Sequence, residues 1–146
     1  MERYCAYQER SLKEVQRKLA DLGMIKEVNE RIELHLYQHD FINEERFARA
    51  FARGKFRIKK WGKIRIRREL EFHGVSNRNV QLGLSEIDDQ EYETTCLDLL
   101  TKKFNEVKDP HRLRKRKKVC DFMLRRGFES DRIYSMVRDL ESKNNK

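Results

Sequence analysis

The chain has 146 residues, 38% hydrophobic against 40% charged, and its 34 Lys and Arg outweigh 25 Asp and Glu for a formal charge of +9. That length allows one ordinary domain or several small modules, with little apolar material to spare. A single proline and six glycines argue against a turn-rich β fold, and the chain lacks both an apolar run long enough for a membrane span and a secretory leader pattern, so a cytoplasmic protein with no membrane partner is expected.

Cys5, Cys96 and Cys120 are too few and too far apart for a disulfide framework or a zinc site. They are expected as small apolar side chains in a reducing compartment. The excess of positive charge predicts a polyanion or an acidic protein surface as partner.

In chain order, residues 1–8 form a short opening with Tyr4, Cys5 and Tyr7 as its contacts. Ser11 and Glu14 have the spacing of a capping box, and Leu12, Val15, Leu19 and Leu22 recur at helical spacing up to Gly23. Val28, Ile32, His35 and Leu36 mark one side of a second helix that ends near His39 and Asp40. Asn43 can cap a third, with Glu44 and Glu45 where the helix dipole favours negative charge and with Ile42 and Phe47 as a hydrophobic staple. Its apolar side is expected at Phe47, Ala50, Phe51, Gly54 and Ile58, and its wet side at Arg46, Arg49, Arg53, Arg57 and Lys60.

Beyond Trp61 and Gly62 a helix is expected over 63–73, with Ile66 and Leu70 inward. Its start alternates as a strand would, but its surroundings favour the helix. Ser76 caps the next, with Val80, Leu84 and Ile87 inward, and Asp88 and Asp89 start another with a stripe of Tyr92, Cys96, Leu99, Leu100 and Phe104. Asp109 and Pro110 signal a restart, with Pro in the first helical position behind an Asp cap. That helix is expected to run through Leu113, Cys120, Met123 and Leu124 to Gly127. Ser130 caps the last, with Ile133, Met136, Val137 and Leu140 inward, and 142–146 reads as a frayed polar tail.

Three segments align without gaps on Gly23, Gly74 and Gly127, at intervals of 51 and 53 residues. Leu19, Leu70 and Met123 stand four before each glycine, Val15, Ile66 and Val119 eight before, and Met24, Val75 and Phe128 directly after. A period of that length holds three helices. Each glycine is expected to join a left-handed cap to a hydrophobic contact with the next helix. The fold expected is all-α, an elongated array of tandem three-helix modules of helix-turn-helix type at 1–40 (with a short opening helix), 41–88 and 89–146.

From Arg46 to Arg68 there are 11 Lys or Arg in 23 residues and no Asp or Glu. A surface built for stability intersperses acids four residues away, so this run is expected to repel itself unless a polyanion neutralises it. Arg112, Arg114, Lys115, Arg116, Lys117 and Lys118 form a second cluster early in a helix, where the dipole disfavours cations. Trp61, Phe56 and Phe72 are assigned to packing rather than to stacking on bases. His35 and His39 lack a third metal ligand at an obvious spacing, and no catalytic motif or glycine-rich phosphate loop occurs. No enzyme, cofactor or metal is expected.

FINEERFARAF (41–51), the basic run to Trp61 and Gly62, and then RIRREL with Gly74 and Val75 together resemble the central module of the RecX family of RecA-modulating proteins. Residues 4–11 with Lys18, Leu19 and Gly23 are similar to that family's first module, and 118–128 to its third. The resemblance implies a regulator of homologous recombination and DNA repair. Such a protein lies in the groove of the RecA–single-stranded DNA filament and modulates, mainly inhibits, ATPase, strand-exchange and coprotease activity. The partners implied are the RecA filament and single- or double-stranded DNA, bound by a monomer. Contact is expected at Arg46, Arg49, Arg53, Lys55, Arg57, Lys59, Lys60, Lys63, Arg65, Arg67 and Arg68, and secondarily at Arg114, Lys115, Arg116, Lys117 and Lys118. The alternative is a direct DNA-binding helix-turn-helix that reads bases with Asn77, Arg78, Asn79 and Gln81.

Overall fold

A computed structural model describes residues 1–144, and every regular element among them is a helix. The elements are α1 (Glu2–Tyr7), α2 (Leu12–Asp21), α3 (Lys26–Gln38), α4 (Glu44–Arg57), α5 (Lys63–Phe72), α6 (Asn77–Leu84), α7 (Asp89–Glu106), α8 (Arg112–Arg126) and α9 (Ser130–Asn144). The opening helix α1 is a single six-residue element. Its Cys5 is buried while Tyr7 stands in solvent, contrary to the contact expected there.

Local chemistry sets most helix ends. Ser11 accepts from the amide of Glu14 while the Glu14 carboxylate accepts from the amide of Ser11, the reciprocal pair of a capping box. Asn43 Oδ1 accepts from the Arg46 amide at 2.9 Å, Ser76 caps α6, and Asp88 caps α7. Gly23, Gly74 and Gly127 all have positive φ. At Gly74 and Gly127 the full double-bonded cap forms: Gly74 N–H donates to Glu71 O and Val75 N–H to Leu70 O, and Gly127 and Phe128 donate likewise to Leu124 and Met123. Val75 and Phe128 are buried, as the repeat predicts. Gly23 departs from it, because Met24 is 45% exposed rather than buried.

Three further expectations are corrected. Asp109 does not cap α8 with Pro110 in its first turn; its Oδ1 accepts from the amide of His111, and the helix begins only at Arg112. Ser130 is the first residue of α9 rather than its cap, and α9 continues to Asn144, so most of the expected frayed tail is helical. Asn145 and Lys146 lie outside the described residues. The buried side of α4 is Phe47, Ala48, Ala52 and Phe56, whereas Ile58 is 79% exposed. Ile58 lies beyond the last residue of α4, Arg57, and Ala48 faces α6 so closely that a Cβ on Gly83 would stand 2.7 Å from the Ala48 carbonyl oxygen.

The chain divides into two compact units. The first comprises Met1–Gly54 with Arg67–Glu86, and the second Lys55–Ile66 with the chain from Ile87 onward; α4 and α5 contribute residues to both. In the first, Cys5, Val15, Leu19, Leu36 and Ile42 form one apolar cluster. In the second, Tyr92, Cys96, Leu100, Val119, Met123, Phe128, Ile133 and Val137 are buried. Tyr92 ties its elements together: its hydroxyl donates to Glu129 and accepts from the Lys63 amide at 3.0 Å. Burial in that setting pushes the phenol well above its usual range.

Candidate polyanion-binding surfaces

Each basic cluster is defined by what neutralises it. In the first unit the arginines of α4 are already engaged. Arg46 bridges Glu9 and Asp40 and also donates to the Asp40 carbonyl, and the Glu9 carboxylate raises its pKa further. Arg49 pairs with Glu45 and with Glu86, and Arg53 reaches the same Glu86 oxygen at 3.1 Å. The acid-free run is therefore not left to repel itself, because Glu9, Asp40 and Glu86 arrive from other parts of the chain. Arg67 donates to the Gln81 amide oxygen at 3.0 Å when that amide faces it. Arg68 is exposed and has no ion-pair partner among the described residues.

In the second unit the start of α8 follows the same rule. Glu141, almost fully buried, receives Arg112 and Arg116, and Arg116 in particular holds its carboxyl below the usual range. Asp109 pairs with Arg114 and Lys118; the His111 amide and Lys118 hold its carboxyl low. Lys117 meets Asp121, and Lys115 lies 4.0 Å from the Phe104 ring centroid. Arg57 and Lys63 have the carboxylates of Glu91 and Asp89 as neighbours.

A different arrangement surrounds Trp61, which is half-buried. The Arg65 guanidinium carbon lies 4.0 Å, and Lys55 Nζ 4.9 Å, from the Trp61 ring centroid. Arg65 also donates to the carbonyl of Arg125, and Arg126 to the carbonyl of Lys59 at 2.7 Å. Arg125 and Arg126 belong to this cluster although the sequence reading missed them; their signal was the Arg pair directly before a repeat glycine. Phe72, expected in packing, is instead 66% exposed.

The helix-turn-helix alternative loses two of its readers to internal bonds. Asn79 donates to Glu44, and Gln81 accepts from Arg67 once its amide is turned over. His35 and His39 rings lie 4.3 Å apart, with His35 Nε2 2.7 Å from Glu2, and no group of three such side chains among the described residues could hold a metal. None of the described helices is long and apolar enough to cross a membrane.

Comparison with known proteins agrees with this architecture. The family description "RecX, second three-helix domain" matches residues 43–84, and "RecX, third three-helix domain" matches residues 90–137. Regulatory protein RecX of Xanthomonas axonopodis pv. citri is 31% identical over 134 residues, covering 91% of this chain and 81% of its own. That of Clostridium acetobutylicum is 26% identical over 137 residues, and the chain spans 63% of that relative's length. The crystal structure of RecX from Lactobacillus salivarius superposes with a TM-score of 0.78 over 95% of this chain and 90% of that one, at 24% identity. A second crystal structure of a regulatory protein RecX gives 0.81 over 93% and 68%, at 23% identity. The last two likenesses speak for the fold. Together, fold and relatives define an all-α chain built from tandem three-helix domains. The chain belongs to the RecX family.

Proposed function

We propose that the chain regulates homologous recombination and DNA repair in the cytoplasm by binding, as a monomer without cofactor, to the groove of the RecA–single-stranded DNA filament. There it restrains ATP hydrolysis, strand exchange and coprotease activity, with three modules at 1–40, 41–88 and 89–146 and no catalysis of its own. The observation that carries this reading is membership of the RecX family. The basic surfaces support it. The contact residues are those expected from the sequence: Arg46, Arg49, Arg53, Lys55, Arg57, Lys59, Lys60, Lys63, Arg65, Arg67 and Arg68, then Arg114 to Lys118. A guanidinium held by a carboxylate is oriented rather than removed from use, since an ion pair at a half-exposed site is weak enough for a phosphate or an acidic side chain to replace its partner.

The test is single-strand-dependent ATP hydrolysis by RecA with increasing amounts of the chain. The rate should fall, and the triple variant Arg49→Glu, Arg53→Glu, Arg57→Glu should need far more protein for the same fall. Unchanged hydrolysis at saturating chain would sink the reading, while full potency in a folded triple variant would move the contact off α4.

A further inference from the structure

Two of the three repeat glycines form a corner that sits on the first turn of another helix. Within the first unit the Gly74 corner meets α2: Lys13 Nζ donates to the Phe72 carbonyl at 3.0 Å, and Ser11 Oγ lies 3.1 Å from His73 Nδ1. Within the second unit the Gly127 corner meets α5: the amides of Gly62 and Ile64 donate to the Arg126 and Gly127 carbonyls, and Arg65 donates to the carbonyl of Arg125. In both cases the carbonyl two residues before the glycine accepts from a first-turn cation. Each corner thus rests on the helix that leads to the preceding repeat glycine, α2 to Gly23 and α5 to Gly74. The residue directly before that helix, Ser11 or Gly62, is buried.

Two halves of this contact are left over. The Gly23 corner follows no earlier repeat glycine, and every residue from Asp21 to Val28 is exposed, among them Leu22, Met24, Ile25 and Val28. The first turn of α8 receives no corner among the described residues: His111, Arg112, Leu113 and Arg114 are all exposed, Leu113 at 63%. A stacked array closes a free face with polar residues, whereas these two faces keep large apolar side chains in solvent. Their charges are complementary. The position two before Gly23 is Asp21, which adds a carboxylate to the carbonyl there, and the first turn of α8 offers Arg112 and Arg114.

We infer that these halves join copies of the chain head to tail, the Gly23 corner of one copy on the first turn of α8 of the next. The contact carries from copy to copy the one that each unit already makes within itself. It is heterologous: every pair keeps one free corner and one free first turn, so association does not stop at two. A corner of four apolar side chains is much smaller than a standard interface, so the dilute chain stays single and rows form as concentration rises. Copies held close together on one polymer meet at high effective concentration, where the same contact makes their loading cooperative. The inference stands on the repeat and does not rest on the filament reading.

Sedimentation velocity of the full chain over a rising concentration series tests this, beside two variants at exposed positions, Ile25→Asp and Leu113→Asp. Both should fold. Ile25 precedes α3, which has no side-chain cap, and an Asp there supplies one; an Asp in the first turn of α8 suits the helix dipole. Wild type should pass beyond the dimer as concentration rises, and each variant alone should need at least about tenfold more protein for the same shift. An equal mixture of the two variants should form dimers and nothing larger, because the corner of the Leu113→Asp chain still fits the first turn of the Ile25→Asp chain. A wild type that stays single throughout would overturn the contact. Association that stops at two, or that Leu113→Asp leaves unchanged, would mean that the apolar corner pairs with itself and would overturn the head-to-tail arrangement. A mixture without dimers would do the same.

Discussion

Gly62 and Gly127 meet backbone on backbone. A Cβ on Gly62 would overlap the carbonyl of Gly127, and one on Gly127 would overlap Arg65 at the start of α5. The short segment between α4 and α5 is thereby pinned to the end of α8, with Gly62 N–H donating to Arg126 O and Ile64 N–H to Gly127 O. Gly127 thus has two duties. It takes the left-handed φ of +95° that ends α8, and it leaves the space that lets α5 start against it. Only one of these duties belongs to the glycine repeat.

That division of duties ranks the glycine substitutions. Gly127→Ala combines left-handed strain of about 1–2 kcal/mol with overpacking of about 1–3 kcal/mol, so it should be the most destabilising. Gly23→Ala meets open space at φ +71° and should lose only the strain, about 1–2 kcal/mol. Gly54, inside α4 with nothing near its missing Cβ, should gain about 0.5–1 kcal/mol on becoming alanine. Urea denaturation midpoints of the three variants decide the order. If Gly127→Ala is no worse than Gly23→Ala, the close approach contributes nothing.

Glu141 predicts an acid-side stability term. Its carboxyl, buried and held by Arg116 and Arg112, has a folded pKa below its ordinary value. A depressed carboxylate contributes stability that is complete above the unfolded pKa, about 4.3, and is lost as pH falls through the folded value. Glu141→Gln should therefore cost about 1–3 kcal/mol at neutral pH, through the loss of charge-assisted bonds to the guanidinium groups. The gap from wild type should narrow as pH drops below about 4. A gap that stays constant to low pH would show that the loss is one of packing.

The cysteines predict an order of labelling. All three are buried and free. Burial pushes the Cys96 thiol up to about 12 and raises Cys120 and Cys5 as well, so little thiolate is present at neutral pH. Reaction with a disulfide reagent should be slow in the folded chain and rapid at all three in denaturant. Cys5 should react first, because α1 has only six residues and opens locally at low cost. Mass spectrometry of partly labelled protein reads the order, and early modification of Cys96 would contradict it.

What was legible in the sequence was local. Ser11, Asn43, Ser76 and Asp88 act within one turn of themselves, and the three glycines take the backbone that only glycine adopts readily, so these caps followed from spacing, whereas the starts of α8 and α9 did not. The buried side of α4 was not legible, because it includes Ala48, which meets Gly83 on another helix, a contact that no pattern within α4 signals. The same limit hid the partners of the basic run. Glu9, Asp40 and Glu86 neutralise Arg46, Arg49 and Arg53 from outside it, so a count of acids within the run overstated its repulsion. Arg125 and Arg126 joined Trp61 only through the glycine crossing, for which a single chain read in order has no signal.

Glu86 is where stability and partner binding compete for the same arginines. One of its oxygens lies 3.1 Å from both Arg49 and Arg53, the position a phosphate oxygen or a partner's carboxylate would take. The Glu86 carboxylate raises the Arg49 pKa, so that side chain stays charged whichever acceptor it meets. Glu86→Gln keeps the shape and removes the competing charge. The two arginines should then be freer to engage the filament, and half-saturation of filament binding should come at lower chain concentration, with a steeper salt dependence. The unfolding midpoint should move little, because partly exposed pairs contribute little to the fold. Fluorescence anisotropy of labelled filaments, measured for Glu86→Gln beside Glu86→Gln with Arg53→Ala, isolates the effect. Tighter binding that disappears when Arg53 is also removed places the contact on α4. Unchanged binding in the single variant would mean that Arg49 and Arg53 serve the fold alone and that the cations outside these ion pairs carry the partner.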